Sequence, residues 1–339
     1  MSSPDNSDIE STDESLYSYP LKSNSLWSDI IPIPQADNHL HVVTIQYSHK
    51  YDELSSYLRA VMNCNEHTMR VLYLTKQLID INSSHYTAWY YRRITLIALA
   101  TAQSNNNKLL IDELDWMNYF ALSNPKSYQL WQHRRSIVQY IMNNNTINKL
   151  NYDIQLELQF TAEIFADDAK NYHAWSHRQF ILYTYKDVLL VSDCGSSELD
   201  YIDTLIDDDV RNNSAWTQRY FVIDNTCRYD AKTITSELEY TFTHIFRAIN
   251  NDSPYNYVIG LLHETRCNHT HLQYTISQCI MILNSSECNN AHSLLVECYE
   301  ISKQYDSAIE HCTKLQNNDR IRKSYWTFRI DQLKTPVST

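Results

Sequence analysis

Residues 82–93 read NSSHYTAWYYRR, and closely similar stretches return as NPKSYQLWQHRR at 124–135, DAKNYHAWSHRQ at 168–179 and DVRNNSAWTQRY at 209–220. The tryptophan of each stretch recurs after 41 to 44 residues, at Trp89, Trp131, Trp175 and Trp216. A period of this length is typical of stacked helical hairpins, which bury their apolar faces only against their neighbours. The repeat therefore predicts an all-α solenoid with the tryptophans in its core.

Each repeat has the spacing of a helix with one buried face. An arginine follows the tryptophan after three residues, and an aliphatic residue follows it after seven. Asparagine or aspartate precedes the tryptophan by seven residues, where we predict the helix N-cap: Asn82, Asn124, Asp168 and Asp209. Amphipathic segments come before these helices, at 69–81, 109–122, 154–166 and 199–206, and another at 238–249 precedes a fifth copy with Tyr255 in place of tryptophan. Each unit is thus predicted to be a pair of antiparallel helices.

Composition excludes several classes of function. The chain of 339 residues has 2 glycines, which lie too far apart for a glycine-rich phosphate loop or a dinucleotide fingerprint. With 28 Lys+Arg against 40 Asp+Glu, the net charge of −12 argues against a nucleic-acid binder. The sequence contains neither an apolar run of about 18 residues nor a signal-peptide pattern. We therefore expect a cytoplasmic protein with no stable membrane insertion.

The N-terminus differs in composition from the rest of the chain. Residues 1–25 are rich in serine, aspartate and glutamate and have few apolar residues, which predicts a disordered acidic arm. Order is expected to begin near Trp27, in a segment kept extended by the prolines that follow. Residues 26–335 are then expected to form a single helical-repeat domain.

The four stretches resemble the repeats of the protein prenyltransferase α subunit. The segment LWSDIIPIPQ at 26–35 and the residues IQYS at 45–48 resemble the start of the α subunit shared by protein farnesyltransferase and geranylgeranyltransferase type I. The resemblance covers residues 26–260 strongly and 261–330 weakly. It implies a right-handed α-α superhelix, a crescent of antiparallel hairpins that wraps around a β subunit in an obligate heterodimer.

The resemblance also implies an activity and its cofactors. Enzymes of this family transfer a farnesyl or geranylgeranyl group from its diphosphate to the cysteine thiolate of a C-terminal CaaX sequence. The expected partners are therefore a β subunit, CaaX-ending proteins and an isoprenoid diphosphate. Zinc is expected in the β subunit, and Mg²⁺ can assist the farnesyl reaction without ligands from this chain. Isoprenoid length is set in the partner's cavity, so this sequence leaves farnesyl and geranylgeranyl specificity open.

Lys126 is the strongest candidate for a catalytic role. Asn124 and Pro125 predict a helix start next to it, and no acidic residue lies within several positions, so an exposed lysine beside helix N–H groups suits a diphosphate. The alternative is a solvated lysine. The resemblance places a lysine at this position against the diphosphate and a glutamine at Gln129 against the peptide carboxylate. It implies further substrate-site residues at Arg134, Tyr86, Tyr128, Asn171, Tyr172 and His173.

Lys170 and Arg211 occupy the position of Lys126 in the next two repeats. A cation in the first turn of a helix is at the positive end of the helix dipole and calls for a nearby anion. Asp167, Asp168 and residues 207–209 can supply one, so intramolecular neutralisation is favoured over ligand binding. We therefore assign Lys170 and Arg211 only to a secondary anion-binding rim.

Three alternatives compete with these assignments. His173 with His177, and Cys267 with His269 and His271, have metal-ligand residue types without a metal-site spacing, so no metal is expected in this chain. A tetratricopeptide-like scaffold would have a period of about 34 residues, shorter than the one found here. The Rab geranylgeranyltransferase α subunit is a further alternative, against which the segment at 26–35 argues.

Overall fold

The protein is described by a computed structural model that covers residues 19–36, 45–102, 107–148, 152–191, 195–226, 229–264 and 267–334. Within these ranges the chain forms sixteen α-helices and no strand, which confirms the predicted all-α class. Two short 3₁₀ helices, Leu21–Ser23 and Ser25–Trp27, precede the first α-helix.

The α-helices alternate with short turns. In chain order they are α1 His49–Asn63, α2 Met69–Ile81, α3 Tyr86–Ala102, α4 Asn107–Ser123, α5 Tyr128–Asn148, α6 Gln155–Asp167, α7 Tyr172–Thr184, α8 Lys186–Leu189, α9 Ser196–Asp208, α10 Asn213–Asn225, α11 Ala231–Arg247, α12 Asp252–Leu262, α13 His269–Ser285, α14 Asn289–Ile301, α15 Tyr305–Asn318 and α16 Lys323–Lys334. The predicted segments at 69–81, 109–122, 154–166, 199–206 and 238–249 correspond to α2, α4, α6, α9 and α11.

The chain divides into two compact units. The first comprises Met1–Phe165 with Asn171–His177, and the second comprises Ala166–Lys170 with Arg178–Thr339. In the first unit the hairpins α2–α3 and α4–α5 pack together through α3 and α5. In the second unit α9–α10, α11–α12, α13–α14 and α15–α16 form hairpins, and α12 packs on both α10 and α14. The extent of a single domain over 26–335 stays a prediction.

The repeated tryptophans lie in the core, as expected. All four are buried. In three repeats the indole N–H is seen to donate to the backbone carbonyl six residues earlier: Trp89 to Ser83, Trp131 to Pro125 and Trp216 to Val210, at 2.8 to 3.0 Å. Tryptophan therefore fills the space between hairpins and also ties down the turn before its own helix. The hydrogen bond of the indole N–H explains why tryptophan, and not phenylalanine, occupies this position.

Residues 21–29 contact the helices, although the composition predicts an acidic arm that extends to residue 25. Leu21 and Trp27 are buried, and the Leu21 backbone N–H donates to the Glu53 carboxylate at 2.6 Å. The Arg70 guanidinium bonds to Asp29 at 2.7 Å and lies over the Trp27 ring. The predicted arm over 1–25 is therefore too long at its C-terminal end, because one buried leucine and one ion pair hold residues 21–29. Residues 1–18 lie outside the described ranges.

Candidate functional site

The helices that carry the tryptophans begin three residues before them, at Tyr86, Tyr128, Tyr172 and Asn213. The capping residue stands immediately before each start. Asn171 accepts the backbone N–H of His173 and Ala174 at 3.0 and 3.1 Å, and Ser127 accepts that of Leu130 at 3.3 Å. The N-caps predicted seven residues before the tryptophans are therefore wrong.

The residues seven positions before the tryptophan shape the turn between the two helices of a hairpin. Their side chains accept a backbone N–H two residues further on: Asn82 from Ser84, Asp168 from Lys170 and Asp209 from Arg211, at 2.9 to 3.1 Å. Lys126, Lys170 and Arg211 consequently lie in this turn, two residues before the helix, and not in its first turn as predicted. Their charges still lie near the positive end of the helix dipole.

The turn that contains Lys126 is held by two bonds to the preceding residue. The carbonyl oxygen of Pro125 accepts the indole N–H of Trp131 at 2.8 Å and the side-chain amide of Asn171 at 3.2 Å. The backbone that leads into Lys126 is thus fixed from α5 and from the residue that caps α7, while the Lys126 side chain is exposed. This arrangement places a cation on a rigid turn beside a helix N-terminus.

Three predicted site residues surround this turn. Gln129 is half-buried in the first turn of α5, and its side-chain amide lies 3.5 Å from the Ser84 carbonyl oxygen. The rings of Tyr128 and His173 meet edge to face with centroids 4.4 Å apart. Partial burial lowers the pKa of His173, and the positive charge of Lys126 lowers it further, so the imidazole and the ammonium group share one environment. The structure therefore brings Lys126, Tyr128, Gln129 and His173 together.

Exposed tyrosines begin three alternate helices, α3, α5 and α7. Tyr86, Tyr128 and Tyr172 leave 74%, 70% and 71% of their surface exposed, although tyrosine normally buries much of its ring. Exposed aromatic residues at repeated positions are typical of surfaces that another molecule covers.

Asn171 does not share this surface. It is buried, caps α7 and donates to the Pro125 carbonyl oxygen. Asn212 and Asn251 do the same for α10 and α12, since each caps its helix and donates to a carbonyl in the equivalent turn of the preceding repeat, Ala169 or Val210. The substrate contact that the resemblance implies for Asn171 is thus replaced by a capping role, which supports the Lys126 turn indirectly.

Arg134 is also buried, in an ion pair with Glu157 at 2.8 Å. Its other terminal nitrogen donates to Asn118 at 2.8 Å, and the guanidinium lies over the Phe160 ring. The arginines at the same position of the other repeats are paired in the same way: Arg92 with Glu113, Arg178 with Glu198 and Arg219 with Glu237. This burial assigns Arg134 to the repeat core and not to the substrate surface on which the resemblance places it.

The four glutamates are residues that the sequence reasoning missed. Each accepts the arginine of one repeat and also a donor two residues after the aromatic of the next repeat: His133, His177, Gln218 and Tyr257, at 2.6 to 2.9 Å. Each glutamate stands 18 residues before that aromatic, a spacing present in the sequence. The constant register of a buried acid relative to the tryptophan could have identified them.

Lys170 has a local partner among the acidic residues that the sequence suggested. Its ammonium group lies 3.3 Å from Asp209 of the next turn, and both side chains are largely exposed. Asp168 instead accepts the Lys170 backbone N–H. Arg211 lies beside the same Asp209 carboxylate, whose pKa is lowered, against the effect of burial, by the Arg211 backbone N–H and by the two cations. The Asp209 carboxylate therefore partly neutralises the charges of both Lys170 and Arg211.

The candidate metal ligands have other roles. His177 donates to Glu157 in the core, and His271 completes a capping box with Asn268. Across the described residues, no group of three His, Cys, Asp or Glu side chains is arranged to hold a metal ion. Among the same residues, no helix combines the length and the apolar character needed to cross a bilayer.

Comparison with known proteins identifies the repeat and the fold. Residues 69–99, 110–141, 154–185 and 196–226 match the protein prenyltransferase alpha subunit repeat, and these ranges cover all or most of the helix pairs α2 and α3, α4 and α5, α6 and α7, and α9 and α10. A chain from the structure of Candida albicans protein geranylgeranyltransferase-I complexed with GGPP superposes with a TM-score of 0.78 at 29% identity, over 90% of this chain and 98% of that one.

Sequence relatives narrow the family further. The protein farnesyltransferase/geranylgeranyltransferase type-1 subunit alpha of Candida albicans is 30% identical over 91% of this chain and 97% of its own length. The protein of the same name from Dictyostelium discoideum is 32% identical over 93% and 96%. By contrast, geranylgeranyl transferase type-2 subunit alpha 2 of Arabidopsis thaliana is 27% identical and is matched over 35% of its length. The chain therefore belongs to the family of protein farnesyltransferase/geranylgeranyltransferase type-1 α subunits.

Proposed function

We propose that this chain is the α subunit of a cytoplasmic, heterodimeric CaaX prenyltransferase. The enzyme transfers a farnesyl or geranylgeranyl group from its diphosphate to the cysteine of a C-terminal CaaX sequence. The observation that carries the proposal is the grouping of Lys126, Tyr128, Gln129 and His173 around one rigid turn, in a chain of this family. The relative of known structure has the isoprenoid diphosphate GGPP in its complex, which supports the substrate class.

Lys126 is the residue we assign to the diphosphate. Cleavage of the bond between the isoprenoid and its diphosphate leaves negative charge on the leaving group. An ammonium group on a fixed backbone stabilises that charge without reorganising, and the N-terminus of α5 adds the positive end of its dipole. The two bonds to the Pro125 carbonyl keep the turn in place for this task.

Gln129 is the residue we assign to the carboxylate of the CaaX peptide. Its side-chain amide is an uncharged donor in the first turn of the helix that follows Lys126, so both residues can contact ligands at the same helix end. Tyr86, Tyr128, Tyr172 and His173 would then line the surface that faces the β subunit and the substrates. Lys170 and Arg211 stay a secondary anion-binding rim, because Asp209 already neutralises part of their charge.

In the proposed heterodimer the β subunit supplies the metal chemistry. Zinc in the β subunit would lower the pKa of the substrate thiol and so supply the thiolate nucleophile. Mg²⁺ would assist the farnesyl reaction without ligands from this chain. The role of this chain is to bind the diphosphate, orient the peptide carboxylate and complete the heterodimer.

Co-expression with candidate β subunits tests the proposal. The chain is produced with a farnesyltransferase β subunit or with a geranylgeranyltransferase type I β subunit, and transfer from each diphosphate to a CaaX peptide is measured. We expect a 1:1 complex with one zinc and activity in at least one pairing, and no transfer to a peptide with serine in place of the cysteine. The chain alone should be inactive. Activity of a homo-oligomer of this chain alone, or failure to associate with either β subunit, would overturn the proposal.

A further inference from the structure

A cavity of about 180 Å³ lies between α1, the start of α3 and the extended residues before α1. Ser55 and Leu58 of α1 are buried and form its floor. The rings of Tyr47, Tyr51 and His85 form its walls, with centroids 5.0 Å apart for the two tyrosines and 6.0 Å apart for Tyr51 and His85. The cavity is therefore aromatic on its sides and mixed at its base. It contains none of the residues assigned to prenyl transfer.

The floor of the cavity contains a hydroxyl group that no described residue pairs. Ser55 is 8% exposed, and its Oγ makes no hydrogen bond within the part of the chain that the structure describes. The neighbouring Ser56 behaves differently, since its Oγ donates to the Asp52 carbonyl oxygen at 2.8 Å, as serine in a helix commonly does. An unpaired buried hydroxyl costs free energy. A ligand in the cavity would therefore bind more tightly if it placed a polar atom within hydrogen-bond distance of Ser55.

His85 adds a second donor to the wall. Its Nδ1 accepts the backbone N–H of Ala88 at 3.2 Å, and burial lowers the pKa of the imidazole, so the neutral ring carries its proton on Nε2. The described lining of the cavity thus includes one hydroxyl at the base and one N–H on an aromatic side, together with the polar side chains of Arg59 and Thr87.

Size restricts the occupant to a single ring. A cavity of about 150 Å³ holds benzene, whereas sites for whole small molecules usually measure about 300 Å³ or more. The volume here suits one six-membered ring with one small polar substituent. Aromatic walls favour stacking or edge contacts with such a ring, and the Ser55 hydroxyl matches a phenolic oxygen at its tip.

The rim indicates how the ring is presented. Gln35 and Asp52 line the opening and are exposed, so an amide and a carboxylate are available to bond to the peptide groups on either side of an inserted side chain. We propose that this cavity binds the side chain of a tyrosine presented by a partner protein. The tyrosine acts as an aromatic anchor, with its hydroxyl on Ser55 and its flanking backbone on the rim.

Calorimetric titration of the purified full-length chain, together with its β subunit where solubility requires it, tests this assignment. The probes are N-acetyl-tyrosinamide, N-acetyl-phenylalaninamide and phenol. We expect the tyrosine probe to bind roughly threefold to tenfold more tightly than the phenylalanine probe, as one hydrogen bond to a buried hydroxyl allows. It should also bind more tightly than phenol, which lacks the groups that meet Gln35 and Asp52.

Three variants locate the binding. Ser55→Ala should abolish the preference for tyrosine over phenylalanine, and Ser55→Phe should weaken all three probes at least tenfold by filling the cavity. Ser56→Ala is the matched control and should change neither preference nor affinity. Equal affinity for the two amino-acid probes, or unchanged binding by Ser55→Phe, would overturn the assignment. Phenol binding as tightly as the tyrosine probe would refute presentation by a partner protein, and so would a crystal structure in which only water or the chain itself fills the cavity.

Discussion

Trp131 donates its indole N–H to the carbonyl oxygen of Pro125 at 2.8 Å, and this carbonyl belongs to the peptide bond that leads into Lys126. A core tryptophan is thereby connected to a residue of the candidate site through a single hydrogen bond. The same bond recurs from Trp216 to Val210, in a turn that has Arg211 where this one has Lys126. The repeat thus supplies a matched pair of core residues, one of which supports the candidate site.

We expect Trp131→Phe to lower both stability and turnover. The substitution keeps most of the apolar contact and removes the N–H, so stability should fall by about 1 to 3 kcal/mol from the lost bond and the smaller ring. Turnover should fall by about tenfold or more, because a small displacement of a charged group has a large effect on the reaction. The measurements are thermal unfolding followed by circular dichroism and single-turnover transfer to a CaaX peptide.

Trp216→Phe is the control for this prediction. It should cost a similar amount of stability, since its indole N–H makes the same kind of bond, and it should leave the rate of a folded sample nearly unchanged. Equal losses of turnover in the two variants would show that the tryptophan affects activity only through general stability.

Removal of a buried glutamate is predicted to be the most destabilising change in the first unit. Glu157 accepts hydrogen bonds from Arg134, His177 and Tyr152, so Glu157→Ala leaves a buried guanidinium without its counter-ion. We expect a loss of about 3 to 5 kcal/mol in the free energy of unfolding. Glu163→Ala, at an exposed position of the same helix, should change it by about 0.5 kcal/mol or less. Comparable small losses in urea denaturation would contradict the structural role given to Arg134 and its partner.

The fold was largely predictable from the aromatic spacing, because a large buried side chain at a constant period leaves little choice of packing. The positions at which the helices start could not be predicted from the sequence. Asn and Asp serve equally well as N-caps and as the first residue of a turn that accepts an N–H two residues on, so Asn82, Asp168 and Asp209 fitted both roles. Only the backbone distinguishes them.

The candidate site was predictable in part for a related reason. The sequence does not distinguish the exposed Tyr128 from the buried Asn171, because the two residues occupy adjacent positions of the repeat. Tyr128 stands three residues before the tryptophan of its repeat, and Asn171 stands four residues before the tryptophan of the next one. Glu157 went unassigned because its partners come from two different repeats, 23 residues before it and 20 after it. The spacing of 18 residues to the aromatic marks the glutamate in the sequence, but the two partners follow only from the stacking of the hairpins.

Stability should depend on pH through the histidines of the core. Burial lowers the pKa of His133 and His177 and outweighs the attraction of the adjacent glutamates. The folded protein therefore binds these protons less readily than the unfolded chain, whose histidines titrate near pH 6.5. The stability that neutral histidine provides is complete above about pH 6.5 and is lost progressively at lower pH.

The glutamates lose their contribution to stability at a lower pH than the histidines do. Burial raises the pKa of Glu113, but Arg92 and His133 lower it more, to about 2. Since the folded pKa lies below the unfolded value, the Glu113 contribution is present above about pH 4.5 and disappears as the pH falls towards 2. A fall in melting temperature between pH 7 and pH 5 is therefore assigned to histidine.

Glutamine variants test the histidine assignment. Gln218 occupies the equivalent position in another repeat and donates to Glu198 at 2.9 Å, so glutamine preserves the hydrogen bond without titrating. We expect the double variant His133→Gln with His177→Gln to flatten the fall in melting temperature between pH 7 and pH 5. The exposed His269→Gln serves as the control and should leave the slope unchanged. A slope unaffected by the double variant would refute the assignment.

Lys126→Ala is the sharpest test of the candidate site. If the ammonium group meets the diphosphate where charge accumulates, its interaction is stronger in the transition state than with bound substrate. The single-turnover rate of the heterodimer should then fall on the order of 10²-fold or more, while isoprenoid affinity changes much less and the subunits stay associated. Lys170→Ala removes a lysine at the same turn position whose charge Asp209 partly neutralises, so its effect should be smaller. Equally mild effects of the two variants would show that the turn before α5 is not where the diphosphate binds.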